Sequence, residues 1–153
     1  MTENDIPEVA RLERMIFTDP WPEKVYRETF AIEGVEYVVA IDRPDRDEAG
    51  GGETIVGAAG VRNIAGTGEI TNVMVLPEYR QAGIATRMIT DLLKRGRQLG
   101  AEEFTLEVRA GNETAIRLYE KLGFVSEGIR PKFYRNPEED ALIMWIRQDI
   151  NNR

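Results

Sequence analysis

Between positions 73 and 85 the chain reads Val-Met-Val-Leu-Pro-Glu-Tyr-Arg-Gln-Ala-Gly-Ile-Ala, an apolar strand that stops at a proline and resumes as a glycine-punctuated helix start. A helix amino terminus presents unpaired N–H groups and the positive end of the macrodipole, so an anion such as a phosphate settles there if the backbone can come close. Gly83 and Ala85 leave that approach open. A P-loop would need Lys-Ser or Lys-Thr after the glycine, and a dinucleotide fingerprint would need G-x-G-x-x-G; the chain has neither here. The alternative reading is an ordinary strand-to-helix turn.

The acid–base inventory is narrow. The chain has no histidine and no cysteine, which removes thiolate chemistry, disulfides and the commonest general base and metal ligand. A base must therefore be a carboxylate, a tyrosine or a lysine. In the run Phe-Thr-Leu-Glu-Val-Arg from Phe104, alternation sets Glu107 with Thr105 and Arg109, opposite the apolar Phe104, Leu106 and Val108. Glu107 is the candidate base, and a carboxylate merely paired with Arg109 or a lysine is the alternative.

The elements that must position these groups follow from periodicity. Ile6, Val9, Leu12, Ile16 and Phe17 recur at helical spacing, with Asp5 as N-cap and Pro7 in the first turn. Asp19-Pro20-Trp21-Pro22 interrupts that helix, and Pro22 opens a second one through Phe30 and Ile32. Residues 35–41 read as a strand. Residues 42–53, with three consecutive glycines and many charges, read as a mobile hairpin connection. Strands over 54–61 and 69–76 follow, joined by a turn around Gly66 and Gly68. Ile84, Ala85, Met88, Ile89, Leu92 and Leu93 form one stripe of an amphipathic helix ending at Gly100. After the Glu107 strand, Asn112 caps a helix carrying Ala115, Leu118, Tyr119 and Leu122, which Gly123 ends. Strands over 124–130 and 141–147 close the chain. Strand, helix, strand order favours parallel pairing across each helix.

At 153 residues the chain is expected to be one domain, 1–153. Its net charge of −7 argues against direct nucleic-acid binding and favours a cationic partner, although the charge would also serve solubility alone. The first residues lack the basic and apolar regions of a signal peptide, and no apolar run is long enough to cross a bilayer. No membrane association, no metal and a cytoplasmic location are expected.

The segment Arg80-Gln81-Ala82-Gly83-Ile84-Ala85 resembles the acyl-coenzyme A pyrophosphate loop of the GCN5-related N-acetyltransferases (GNAT). The runs from Thr105 to Asn112 and from Ala115 to Phe124 look like the next strand and helix of that family, in the expected order. Phe17-Thr18-Asp19-Pro20-Trp21 and Glu139-Asp140-Ala141-Leu142-Ile143-Met144 resemble the RimI-like branch, the ribosomal-protein-alanine N-acetyltransferases. The resemblance covers nearly the whole chain and implies an α/β GNAT fold: a central mixed, mostly antiparallel sheet flanked by helices on both faces. Relatives begin with a strand before the first helix, and here that strand is expected to be short or missing.

Acetyl transfer from a thioester to an amine needs a neutral amine, stabilisation of the developing oxyanion and a proton for the departing thiolate. The resemblance assigns Glu107 as general base and Tyr119 as the acid; without it, a tyrosine at helical spacing reads as core packing. It implies that backbone groups of Val73, Met74 and Val75 meet the pantetheine arm of acetyl-coenzyme A (acetyl-CoA). Arg80, Gln81, Ala82, Gly83, Ile84, Ala85 and Thr86 would then cradle its pyrophosphate, with Asn112 a further contact. Gly111 replaces a serine of the relatives and is expected to loosen its turn. Glu69, Trp21, Arg130 and Tyr134 are implied to rim an acceptor groove beside Phe133, which stands where relatives carry tyrosine. Simple loop packing is the alternative for Trp21 and Phe133. The acceptor implied is a protein amino terminus, with a ribosomal protein first, and the enzyme a monomer or weak homodimer. A small amine acceptor such as a polyamine or amino sugar, or a non-catalytic acyl-CoA-binding module, are the competing readings.

Overall fold

The computed structural model describes residues 1–44 and 52–147. Helices α1 (Ile6–Ile16) and α2 (Glu23–Phe30) come first, then strands β1 (Val35–Asp42), β2 (Thr54–Ile64) and β3 (Thr67–Val75). Helix α3 (Ile84–Gln98), strand β4 (Glu103–Arg109), helix α4 (Glu113–Lys121) and strands β5 (Val125–Tyr134) and β6 (Glu139–Ile146) complete the order. The strands form one six-stranded sheet in the order β1-β2-β3-β4-β6-β5. β3 and β4 are parallel, as a helical crossover demands, and every other neighbour is antiparallel. α4 carries the chain to the outer edge, and β6 returns between β4 and β5, so those two strands share a direction without touching.

Helices cover both faces because the strands alternate apolar residues toward both. Phe104, Leu106 and Val108 of β4 pack with Met88, Ile89 and Leu92 of α3 and with Tyr119 and Phe124. On the opposite face Ile6, Val9, Leu12 and Tyr26 of the first two helices pack on Tyr37, Val56, Ala58 and Met74. Beyond β3 that second face has no helix among the described residues, and it is there that Thr105, Glu107 and Arg109 lie.

Several expectations are corrected in detail. Asp5 is the N-cap residue of α1 as expected, but its side chain does not cap that helix: the carboxylate turns back to the Thr2 amide at 2.7 Å, closing a short 3-10 turn over Glu3–Asp5. No strand precedes α1 among the described residues, and the Met1 amino group bonds the Tyr37 carbonyl of edge strand β1 at 3.2 Å. Gly68 is not in the turn but inside β3, since Ala65 and Gly66, both with positive φ, make the reversal by themselves. β5 runs on to Tyr134, past a bulge that includes Lys132 at φ 53°. Residues 45–51 of the expected β1–β2 connection lie outside the described residues, while the antiparallel pairing of β1 with β2 is the expected hairpin.

Gly68 is explained by Phe104. A Cβ on Gly68 would meet the Phe104 ring at 2.5 Å, and one on Gly96 of α3 would meet it at 2.5 Å from the other side. Phe104 is fully buried and has no room to retreat. In an open helix position Gly→Ala stabilises by about 1 kcal/mol; Gly96→Ala is expected to do the reverse, destabilising by about 1–3 kcal/mol through overpacking, which urea unfolding measures.

Candidate active site

β3 and β4 pair only at Thr67 with Glu103, Gly68 with Phe104 and Glu69 with Thr105. Past that point β3 continues to Val75 and β4 to Arg109 without pairing, so the sheet is split between two parallel strands. A bulge accompanies the divergence. Asn72 has φ 53°, and the register against β2 jumps so that Thr71 faces Gly60 while Met74 faces Ala58. Bulges bend a strand and sharpen its twist. Among the described residues the main chain of β3 over residues 73–75 therefore has no strand partner on the β4 side, where only the Arg80 side chain reaches the Val75 carbonyl; such an edge is the kind that accepts an extended ligand by strand addition.

At the carboxyl end of β3 the chain turns through Pro77–Tyr79 into α3. Gly83, in the left-handed region at φ 76°, is the N-cap, and no side chain caps the helix. A Cβ at Gly83 would meet nothing within 4 Å, so the side of the N-cap it would occupy is open. Gln81, Ala82, Gly83 and Thr86 are exposed, while Ile84 and Ala85 pack inward. Gln81 also has a positive φ of 61°. Arg80 is tied back, its Nε donating to the Val75 carbonyl at 3.0 Å. The loop thus has the form an anion site needs.

Across the split, the Glu107 side chain is 32% exposed, and Arg130 Nε lies 3.5 Å from its Oε1. Arg109, the partner weighed from sequence, is committed elsewhere. It pairs with Glu139 at 3.2 Å, donates to the carbonyls of Arg135 and Pro137, and stacks 4.4 Å over the Tyr134 ring. Burial first, then the charge of Glu107, push the Tyr134 phenol up to about 12. Tyr119 is buried, packs edge-on to Phe124 at 5.9 Å, and is raised well above an ordinary phenol by burial and then by Tyr134. Glu107 thus acts on Tyr134 and Tyr134 on Tyr119 through their charges, while Glu107 and Tyr119 belong to opposite faces of the sheet.

Gly111 does not loosen its turn. Its amide donates to Glu139 Oε2 at 2.6 Å, and a Cβ there would sit 2.9 Å from that oxygen. Glu139, which sequence reasoning passed over, therefore holds both Arg109 and the turn that leads to α4. Asn112 caps α4 as expected, its Oδ1 accepting from the Ala115 amide at 3.2 Å.

The remaining expected residues lie on the Glu107 face. Glu69 pairs with Arg62 at 2.9 Å. Arg130 and Phe133 form a cation–π contact at 5.9 Å, and Phe133 meets Tyr134 edge-on at 5.0 Å. Trp21 packs on Tyr26 with ring centroids 5.6 Å apart and helps line a cleft of about 130 Å³ with Thr29, Tyr37, Arg62 and Thr71. Thr105, only 9% exposed, has a hydroxyl with no partner among the described residues.

Sequence reasoning missed one buried group here, Glu13. Its carboxylate accepts from the Tyr26 hydroxyl, from the Trp21 amide at 3.1 Å and from Asn72 Nδ2 at 3.3 Å. The signal was available: position 13 falls on the buried stripe of α1 with Ile6, Val9 and Ala10, where an acidic residue is out of place.

An open six-stranded sheet split between two parallel strands, with helices on both faces and a helix start without a side-chain cap after the first of those strands, defines a mixed α/β protein. Residues 6–124 match the model of the Acetyltransferase (GNAT) family, and the chain belongs to that family. It is 33% identical over 150 residues to the N-alpha-acetyltransferase RimI of Mycobacterium tuberculosis, covering 94% of this chain and 87% of that protein. The crystal structure of a ribosomal-protein-alanine N-acetyltransferase from Escherichia coli superposes with a TM-score of 0.77 at 25% identity, covering 100% of this chain and 95% of that one. A spermidine N-acetyltransferase from Vibrio cholerae shares the fold with a TM-score of 0.75 at 21% identity, covering 97% and 92% of the two chains. No helix among the described residues is long and apolar enough to cross a membrane, and no group of side chains there could hold a metal ion.

Burial raises Glu13 above its ordinary value of 4.5, more than its hydrogen bonds lower it. In that window the native state binds a proton that the unfolded chain does not, so this contribution to stability is full below 4.5 and is lost as pH rises through the native value. Urea unfolding of the wild type and Glu13→Gln between about pH 4.5 and 7 is expected to give a difference that moves against the wild type as pH rises; the opposite slope would contradict the assignment.

Proposed function

We propose that the protein transfers an acetyl group from acetyl-CoA to the α-amine of a protein amino terminus, with a ribosomal protein as acceptor, in the cytoplasm. The observation that carries this reading is the split itself. It joins an open helix start fit for a diphosphate to an unpaired strand edge fit for an amide-bearing arm, and it ends beside Glu107. Family membership and the similarity to RimI-named proteins support the acceptor class; the fold alone does not, since it also serves a spermidine enzyme.

Acetyl-CoA supplies an acyl group activated as a thioester, with a thiolate as leaving group. The first-turn amides of α3, from Gly83 to Thr86, hold the diphosphate, with Gln81 and Ala82 shaping the loop and Arg80 bracing it against Val75. Main-chain groups of Val73, Met74 and Val75 align the arm, an N–H among them polarising the acyl carbonyl, and Asn112 contacts the cosubstrate near the start of α4. Glu69, Trp21, Arg130 and Tyr134 orient the acceptor. Glu107 takes the amine proton, directly or through water. An α-amine has a pKa of about 8 against about 10.4 for lysine, so roughly one in ten is already neutral near pH 7 and a modest base suffices. Tyr119 carries its proton at neutral pH, as a phenol does, and burial raises it further; it hydrogen-bonds the sulfur as charge develops there and gives that proton to the departing thiolate. Transfer is direct, and the enzyme supplies no nucleophile.

Incubation with acetyl-CoA and peptides beginning in alanine or serine should add a single acetyl group to the α-amine, read by fragmentation mass spectrometry. Transfer only to lysine side chains, or only to added spermidine, would overturn the assignment. Glu107→Gln is expected to lower kcat/KM by about 10²-fold or more, with the deficit largest at low pH, where fewer amines are neutral. Tyr119→Phe should lose turnover without losing its fold; unchanged turnover would remove it as the donor.

A further inference from the structure

One buried carboxylate ties together the two sides of the reaction centre. Glu13, 2% exposed, receives hydrogen bonds from three other segments, one of them 59 residues away. Trp21 donates its amide from the α1–α2 connection, Tyr26 its hydroxyl from α2, and Asn72 its Nδ2 from the bulge of β3, at 3.3 Å to one oxygen and 3.5 Å to the other. Apolar packing does not call for this group: the residues around it on α1 are Val9, Ala10 and Leu12, and a buried carboxylate is retained at a desolvation cost that a hydrophobic residue would avoid.

What the carboxylate holds explains its retention. Asn72 sits at φ 53°, a left-handed conformation that asparagine tolerates better than other non-glycine residues but that still needs support from its surroundings. Its Nδ2 bonds are to Glu13, and its Oδ1 is buried with no partner among the described residues, so Glu13 is the anchor for this side chain. The next three residues are Val73, Met74 and Val75, the unpaired edge of the split. The Trp21 amide fixes the segment that lines the cleft on the Glu107 face. The bulge and the acceptor-side loop are therefore referenced to a single pair of oxygens.

We propose that Glu13 is a positioning residue for acetyl transfer: by holding Asn72 and Trp21 on one carboxylate it sets the distance between the main chain that faces the acyl donor and the loop that faces the acceptor. This rests on the reading that residues 73–75 meet the donor and the Trp21 segment the acceptor. Because the α3 amides are not part of this network, donor affinity and turnover should separate when it is cut. Misplacement by a fraction of an ångström to an ångström at a reacting centre is enough to cost turnover heavily.

The test compares the wild type with Glu13→Gln, Asn72→Gly and their double variant, all below their melting temperatures. Glycine keeps the bulge conformation accessible while removing the link. Glu13→Gln is expected to lower kcat by about tenfold to a hundredfold and to raise KM for the acceptor peptide, with coenzyme A affinity by calorimetry falling much less than kcat, because the diphosphate site at α3 is untouched. The double variant should lose no more than the worse single one, since both cut the same connection. Hydrogen exchange read by mass spectrometry should quicken in residues 17–22 and 71–76 and not elsewhere. Wild-type kinetics in folded Glu13→Gln, additive losses in the double variant, or exchange that quickens uniformly would each overturn the proposal. Should Glu13→Gln fail to fold, Tyr26→Phe, which removes one donor and keeps the ring, must loosen the same two segments, and unchanged exchange there overturns it. If the wild type acetylates no peptide, the functional reading fails, while the exchange measurement still judges Glu13.

Discussion

The pairing of β3 with β4 stops after three residue pairs, and the rest of the molecule is arranged around that stop. A continuous sheet would be a wall with Glu107 on one side and Tyr119 on the other. Because β3 bends away at Asn72 while β4 runs on, main-chain groups that would have satisfied each other are left facing a gap. An unpaired strand edge is ordinarily a liability, open to aggregation. Here it sits inside the sheet, flanked by two strands, where an extended ligand is the natural partner.

The two parallel strands bring their carboxyl ends to the same edge of the sheet, and each leads into a helix there. Ligands in open α/β sheets settle at such places because helix amino termini and connecting loops converge on them. In this chain α3 begins at Gly83 with no side-chain cap, whereas α4 begins at Asn112 with one. The contrast is physical: a capped first turn has already satisfied one of its orphan amides, and an uncapped one keeps all of them for an anion.

The charge of the Glu107 face is organised differently from what the net charge suggests. Glu69 faces Arg62, Glu107 faces Arg130, Glu139 faces Arg109, and Glu103 and Glu127 share Arg147. Pairs this exposed contribute little to stability. Their value is in orientation, since each carboxylate is held in one direction by a planar guanidinium.

Local chemistry made much of the architecture readable. The apolar stripes of α1, α3 and α4, the alternation in β4, the proline and glycines around α3 and the asparagine before α4 each act within a few residues, and the helices and strands they imply are present in the expected order. Parallel pairing of β3 with β4 followed from the crossover between them. The loop at Gly83 and the outward face of Glu107 were legible for the same reason. Harder to read were the features created by two distant segments meeting: Gly68 looked like a turn residue because nothing nearby in sequence announces the Phe104 ring, and Gly111 looked slack because Glu139 lies far along the chain. Glu13 was visible as an anomaly on an apolar stripe, but its partners Trp21, Tyr26 and Asn72 come from three other places. By itself, then, the order of residues determined the elements, their faces and the anion-ready helix start, because those depend on short-range periodicity and backbone preference. The split in the sheet, the choice of Arg130 over Arg109 as the partner of Glu107, and the buried carboxylate that ties the bulge to the α1–α2 connection were decided by tertiary packing, since register, burial and ion pairing between remote segments exist only once the chain has closed on itself.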